Sequence, residues 1–286
     1  MTCTVTQLTE LAEANFAPPA PDQYGYVEMN AEHTQGVNAL ASETALSISY
    51  NGISHAVMMV TPGNLEDFVK GFSISSGIVE AASEIHDVQL SMGAESHHAA
   101  VDIANRAFWS LKTQRRQLAG TSGCGICGVE ALDQALPLLT PLSPVAPPNP
   151  VLFNELRDRI QQAQVLARHS GALHAALYAN ERGEITLCRE DIGRHNALDK
   201  LIGAMVNDKV NPQHGFVVMT SRCSLELIHK AVRAKIATLV TLSAPTALTV
   251  QWARRHHLNL IHLPKGSAPR LYSPAPVSNN IVDLHR

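Results

Sequence analysis

Cys124 and Cys127 stand inside the glycine-rich stretch GTSGCGICGVE, residues 120–130. Thiols at that spacing can share a proton, a metal ion or a sulfur atom, and Gly123, Gly125 and Gly128 open backbone conformations that other residues avoid. Several chemistries compete for such a pair. The letters also match G-x-G-x-x-G, but no strong strand precedes them and a proline-rich tract follows where a βαβ unit should continue, which argues against a dinucleotide fingerprint. A structural zinc site needs two further ligands, and the chain has no second Cys-x-x-Cys or spaced histidine pair. A zinc deaminase requires H-x-E and P-C-x-x-C, yet no histidine has glutamate two places on and Gly123 precedes Cys124. A thioredoxin-like dithiol lacks its usual fold pattern. Sulfur relay or redox exchange by a low-pKa thiol survives best.

Three other stretches, CREDIGRHN, TSRCS and SAPT, concentrate polar chemistry in the second half of the chain. In the first, Arg194 offers a planar fork for phosphate, His195 can pass a proton, and Asp191 could hold a guanine edge or orient Arg194, with Asn196 beside them. In the second, Thr220, Ser221 and Ser224 fall at a helix start, where unpaired amides favour an anion, and Arg222 adds charge. The third puts Ser243 and Thr246 at the next helix start. Folding alone explains each singly: Asp191, Arg194 and Asn196 as a salt bridge and cap of one turn, the hydroxyls as helix caps. Their repetition at successive strand ends points instead to a pocket for a phosphorylated or nucleotide-like ligand. His97-His98 and His256-His257 read as solvated surface pairs, and Cys188 and Cys223 as small buried hydrophobes.

These loops need a scaffold, and the second half has a clear rhythm. LHAALY and EITLC read as a hairpin, followed by helix 196–206, strand FVVM, helix 224–234, strand TLVTL, helix 246–256 and strand NLIHL. Such alternation implies a partly parallel sheet with helices on its faces and ligands at the carboxyl ends of the strands. In the first half, ETALSISY and ISHAVMMV form a hairpin across Asn51-Gly52. Thr61-Pro62 reads as the N-cap and first turn of a helix ending near Gly77. IHDVQL and AAVDIA are weaker strands, and RAFWSLKTQRRQL is ambiguous between strand and helix. VLFNELRDRIQQAQVLARHSG reads as one amphipathic helix stopping at Ser170-Gly171. The predicted organisation is a leader over 1–35, an α+β domain over 36–136 ending in the cysteine loop, a connector over 137–150, and an α/β domain over 151–286. The connector, PLLTPLSPVAPPNP, holds six of the chain's 16 prolines.

Composition narrows the functional classes. The 286 residues are 45% hydrophobic, enough for one large core or two smaller ones, and the proline break favours two. A net charge of −3 gives no general pull toward nucleic acid or membrane, and no stretch is long and apolar enough to span a bilayer. MTCTVTQLTELAEA has no basic start or apolar run, so no signal peptide is expected. Five cysteines, only two of them close together, fit a reducing cytoplasm.

The combination of GTSGCGICGVE, SGALHAALY, CREDIGRHNALDKLIGA, TSRCSLELIHKA and VTLSAPTALTVQWA resembles the formate dehydrogenase accessory sulfurtransferase family, FdhD, as do ETALSISYNG and TPGNLEDFVKGFSISSGIV. The likeness covers about residues 43–273. It implies a sulfurtransferase: a persulfide carrier that takes sulfur from a cysteine desulfurase and delivers it to the molybdenum bis-guanine-dinucleotide cofactor before insertion into formate dehydrogenase. It implies Cys124 as the persulfide-bearing residue with Cys127 as its partner, a carboxy-terminal cytidine-deaminase-like domain without deaminase zinc, and a homodimer. It places a cofactor-binding segment on Leu263, Pro264, Lys265, Gly266, Ser267 and Ala268. Two departures stand out: Ser221 where glycine commonly precedes the arginine, and LPKGSAPR where the family is richer in glycine and arginine. Lys265 keeps a charge without the bidentate fork. The competing expectation is a cofactor-binding chaperone whose thiols are structural or metal-holding.

Overall fold

A computed structural model describes residues 22–29, 34–93, 96–119 and 136–276. The cysteine pair lies outside the described residues, as do most of the leader and the carboxyl tail. Three sheets and their covering helices give the mixed α/β architecture expected. Asp22–Val27 (β1) and Gln35–Leu40 (β2) form an antiparallel ribbon inside and just beyond the stretch read as a leader. Its short DQYGYV run alternates around a glycine, and the Tyr26 ring lies where a side chain at Gly36 would have to go.

Thr44–Tyr50 (β3), Ile53–Val60 (β4), Ile85–Met92 (β5) and Ser96–Ile103 (β6) make a four-stranded sheet ordered β4-β3-β6-β5. Asn51 and Gly52, at φ 45° and 79°, turn the β3-β4 hairpin as predicted. The helix that follows, Leu65–Ser75 (α1), begins later than expected. Gly63 and Asn64 are left-handed at φ 95° and 51°, so the first turn cannot start at Thr61, and Thr61 is not its N-cap. Its Oγ1 instead accepts from the Ile192 amide at 3.0 Å. The ambiguous stretch is a helix, Asn105–Ala119 (α2).

Residues 137–149 carry no regular structure, as their prolines dictate, and run over the second half: Leu142 donates its amide to the His256 carbonyl. The single helix predicted over 151–171 is broken into a 3-10 turn at Pro150–Phe153, Leu156–Ala163 (α3) and the short Ala167–Ser170 (α4). Glu155 sits left-handed at φ 54°, and the Glu190 carboxylate takes the amides of Val165, Leu166 and Ala167 at 2.8, 2.8 and 2.9 Å, replacing the helical partners they would otherwise need.

The next elements match the predicted rhythm: His174–Ala179 (β7), Ile185–Asp191 (β8), Arg194–Asn207 (α5), Phe216–Met219 (β9), Leu225–Arg233 (α6), Thr238–Thr241 (β10), Ala247–Arg255 (α7) and Asn259–His262 (β11); Arg270–Ser273 (β12) is a further edge strand that the sequence did not signal. The sheet order is β12-β11-β10-β9-β7-β8, with β9, β10 and β11 parallel and the outer pairings antiparallel. The strands are apolar on both faces. Ala176, Val217, Leu239 and Leu260 face α5, α6 and α7, while Leu177, Val218, Val240 and Ile261 face Phe153, Leu156 and Ile160. The first of these clusters continues into Leu46, Ile48, Tyr50 and Phe68, so both halves of the chain share one apolar interior.

That continuity depends on α1 crossing α5 at backbone contact. A Cβ built on Gly71 would stand 1.8 Å from the Asp199 carbonyl oxygen, and one on Gly203 1.9 Å from that of Asp67. Asp67 completes the seam, accepting from Arg189 at 2.8 Å and from Asn207 at 2.6 Å. Gly71→Ala and Gly203→Ala are each expected to cost ~3 kcal/mol or more, because backbone rather than a side-chain tip must move. Urea unfolding measures this, and midpoints equal to wild type would show that the helices stand further apart.

Candidate functional site at the carboxyl edge of the six-stranded sheet

The amino ends of α5, α6 and α7 all open from the edge where β8, β9, β10 and β11 finish. Unpaired helix amides there favour negative charge. From the β8 loop to the β11 loop the edge crosses four strand spacings, roughly 19 Å. The predicted ligand loops therefore share one rim, but CREDIGRHN and Leu263–Ala268 lie at its opposite ends.

Asp191 is not a ligand contact. It is fully buried; Oδ2 accepts from Lys200 at 2.8 Å and from the Thr61 amide at 3.0 Å, and Oδ1 accepts from the Gly193 amide and Asn196 Nδ2, both at 2.9 Å. Those four donors leave no acceptor position for a guanine edge. Lys200 is equally buried, and its ammonium also donates to the Thr61 carbonyl at 2.8 Å. Burial pulls its pKa below the usual lysine range, opposed by the Asp191 carboxylate. Asn196 donates to the Met59 carbonyl at 2.8 Å and is likewise spent on structure. The turn and cap explanation holds for Asp191 and Asn196, with a partner the sequence reading missed: the end of β4.

Arg194 stands differently. It is the first residue of α5, half-buried, and its Nε has no partner among the described residues. Arg194 and Arg222 both act on His174 at the start of β7; burial lowers the His174 pKa, and the two guanidiniums lower it further. Arg222 is exposed. The two arginines and His174 make a cationic corner, of which His174 carried no sequence signal because it reads as the edge of an apolar strand.

His195 Nε2 lies 2.7 Å from Glu226 Oε2 and 3.3 Å from Ser224 Oγ. Burial lowers its pKa, opposed by the Glu226 carboxylate. Ser224 is the N-cap residue of α6 but makes no side-chain cap bond, which leaves its hydroxyl for His195. Ser221 is buried and donates to the Arg222 carbonyl, while Thr220 Oγ1 accepts from the Ala175 amide at 2.8 Å and ties β9 to β7. Thr246 caps α7 through the Thr249 amide, its structural reading. Ser243 is half-buried, its carbonyl accepting from Thr241 Oγ1.

Leu263 points into the apolar cluster and donates its amide to the Thr241 carbonyl, so its side chain is unavailable to a ligand. Arg157 from α3 clasps the carbonyls of Leu242 and Leu263 at 3.2 and 2.5 Å, joining the β10 and β11 ends. Pro264 is half-buried, whereas Lys265, Gly266, Ser267 and Ala268 are exposed in the turn toward β12, with Gly266 at φ 72°.

Cys188 and Cys223 are inert by environment: burial pushes each thiol up to about 12. His256 is not the solvated residue expected. It is 3% exposed and stacks on Trp252, whose ring also meets His229. His257 is exposed and bonded to the Leu142 carbonyl, His98 is exposed and bonded to Ser47, and His97 is half-buried. Among the described residues no group of three or more His, Cys, Asp or Glu is placed to hold a metal ion, and no helix is long and apolar enough to cross a membrane.

The described residues form an α/β scaffold with a cationic corner at its strand ends. Comparison with known proteins gives the lineage: residues 41–277 match the FdhD/NarQ family, and the chain belongs to it. A protein of Cupriavidus necator named sulfur carrier protein FdhD is 40% identical over 82% of this chain and 81% of its own length. One of the same name from Bordetella petrii is 38% identical over 82% and 84%. In structure, the chain superposes with a TM-score of 0.68 on a crystal structure described as a formate dehydrogenase accessory protein from Desulfotalea psychrophila, at 20% identity over 89% of this chain and 97% of that one.

Buried neutral histidines make the fold acid-sensitive. Burial, then Arg233 and His256, lower His229 to about 4 from an ordinary 6.5. Between those values the unfolded chain binds the proton and the folded one does not, so stability falls as pH drops from about 6.5 toward 4. Thermal melts across that window are expected to show the decline, and His229→Gln to flatten it; an unaltered slope would mean His229 protonates freely in the fold.

Proposed function

We propose that this protein is a sulfur carrier that serves formate dehydrogenase. The observation that carries the reading is 40% identity, over four fifths of both chains, to a protein named for sulfur carriage, together with the thiol pair Cys124 and Cys127. Cys124 thiolate attacks the outer sulfur of a persulfide on a cysteine desulfurase. The new S–S bond forms on Cys124 and the donor cysteine leaves as thiolate, with no net change of redox state. Cys127 thiolate then attacks the inner sulfur of that persulfide, releasing hydrosulfide and leaving a Cys124–Cys127 disulfide. A thiol reductant reopens the pair.

The substrate for delivery is the molybdenum bis-guanine-dinucleotide cofactor. Its phosphates call for the features found along the rim: free Arg194 Nε, Arg222 beside His174, and the helix amino ends near Ser221, Ser224 and Ser243. Lys265 supplies charge at the far end, and the rim's length of roughly 19 Å suits a ligand with separated nucleotide groups. His195, in contact with Glu226, can donate a hydrogen bond or pass a proton at the α6 end. Asp191, Lys200 and Asn196 hold Arg194 and His195 in register. The working form is a homodimer in the cytoplasm.

Incubation with a cysteine desulfurase and cysteine is expected to add the mass of one sulfur atom to wild type and none to Cys124→Ala; an adduct retained by the mutant removes Cys124 from the mechanism. Cys127→Ala is expected to accumulate the adduct without releasing sulfide. Stoichiometric zinc lost only when both thiols are replaced would support a chaperone with metal-holding cysteines. GDP is expected to raise the melting temperature of wild type but not of Arg194→Ala, read by thermal shift. No rise in wild type would count against the rim as a nucleotide site.

A further inference from the structure

At the opposite edge of the six-stranded sheet, where α5 and α6 end and β9 and β10 begin, lies a cleft of ≈ 200 Å³. Its walls come from both halves of the chain. Ile74 at the end of α1 faces Met205 and Val206 of α5, and Ile236 closes the far side. At the mouth stand Arg233 and Lys235, the latter exposed and left-handed at φ 58°.

Arg233 is the unusual group. Nη1 donates to the Ser75 carbonyl at 3.2 Å, but no carboxylate among the described residues lies within ion-pair distance of it. Burial lowers its pKa, as expected of a half-buried guanidinium without a counter-ion. The acidic residue of the lining, Glu80, is taken by Arg106 at 3.0 Å. Gly77, at φ +73°, leaves the channel along which the guanidinium lies: a Cβ there would stand 3.3 Å from Nε. The cleft thus joins an apolar interior to a net positive mouth. Apolar walls reward removal of a hydrocarbon group from water, and a guanidinium with a vacant edge pairs best with a carboxylate.

We propose that this cleft binds a small apolar carboxylate, its hydrocarbon part between α1 and α5 and its carboxylate on Arg233. The volume admits a short aliphatic chain or a single ring and excludes a guanine dinucleotide, so the site is separate from the rim and independent of the sulfur-carrier reading. An occupant would touch both halves at the end of the shared interior furthest from the ligand loops.

Isothermal titration of the full-length protein with octanoate tests the proposal. Saturable binding is expected, with octanamide, which lacks the charge, weaker by at least about tenfold. Arg233→Gln should remove the difference between the two probes, and Val206→Trp, which fills the cavity at a partly buried position, should abolish binding of both while the circular dichroism spectrum is kept. GDP should leave octanoate binding unchanged. Absence of saturable heat in wild type, undiminished binding in folded Val206→Trp, or competition by GDP would each overturn it.

Discussion

Asp191 and Lys200 have no access to water, and each would be severely destabilising alone in the protein interior. Their 2.8 Å contact, completed by the amide and carbonyl of Thr61, satisfies both charges and fastens the β8-α5 turn of the second half to the end of β4 in the first. Arg194 and His195 take their places from this knot. Arg194 begins the helix whose entry turn Asp191 folds, and His195 follows it toward Glu226. A second pair, the half-buried Lys230 with the buried Asp199, receives the Ser75 hydroxyl and binds the ends of α1 and α6 to α5. The two ion pairs flank the glycine crossing, where there is no room for side-chain adjustment.

This arrangement separates holding from binding. Glu190, Asp191 and Asn196 at the end of β8 and start of α5 are turned inward and consumed by buried partners, whereas the cations Arg194, Arg222 and Lys265 keep donors at or near the surface. These donors line the rim, with the Glu226 carboxylate beside His195 at the α6 end. Under the proposed function, the sulfur-bearing cysteine meets a ligand already fixed by its phosphates, so the chemical step needs only the approach of one thiol. Cys188 and Cys223, with their thiols held protonated by burial, cannot compete for that sulfur.

The strands and helices of the second half were legible because each apolar run is short, bounded by polar loops, and alternates with a helical period; FVVM, TLVT and NLIH each became four buried strand residues. The Asn-Gly hairpin was legible for an equally local reason. Failures came where distant groups claim local donors. Glu190 captures three amides and breaks a helix that its own periodicity supports, and Thr61 is drawn to Ile192 rather than capping α1. His256 read as a surface residue because adjacent histidines look polar, but Trp252 one turn earlier supplies a stacking partner. His174 and Glu226 entered the site only through the sheet order and the register of α6.

By itself the sequence determined the class of architecture, the three strand-end loops, the paired thiols and the family, because these depend on residue type and short-range spacing. Only the tertiary structure decided which polar residues face a ligand and which are spent inside. Asp191 and Arg194 look alike as loop residues three positions apart. Burial against Lys200 and Thr61, contributed from nine residues onward and from the other half of the chain, makes one a brace and leaves the other free, since a buried carboxylate must find donors wherever the fold provides them.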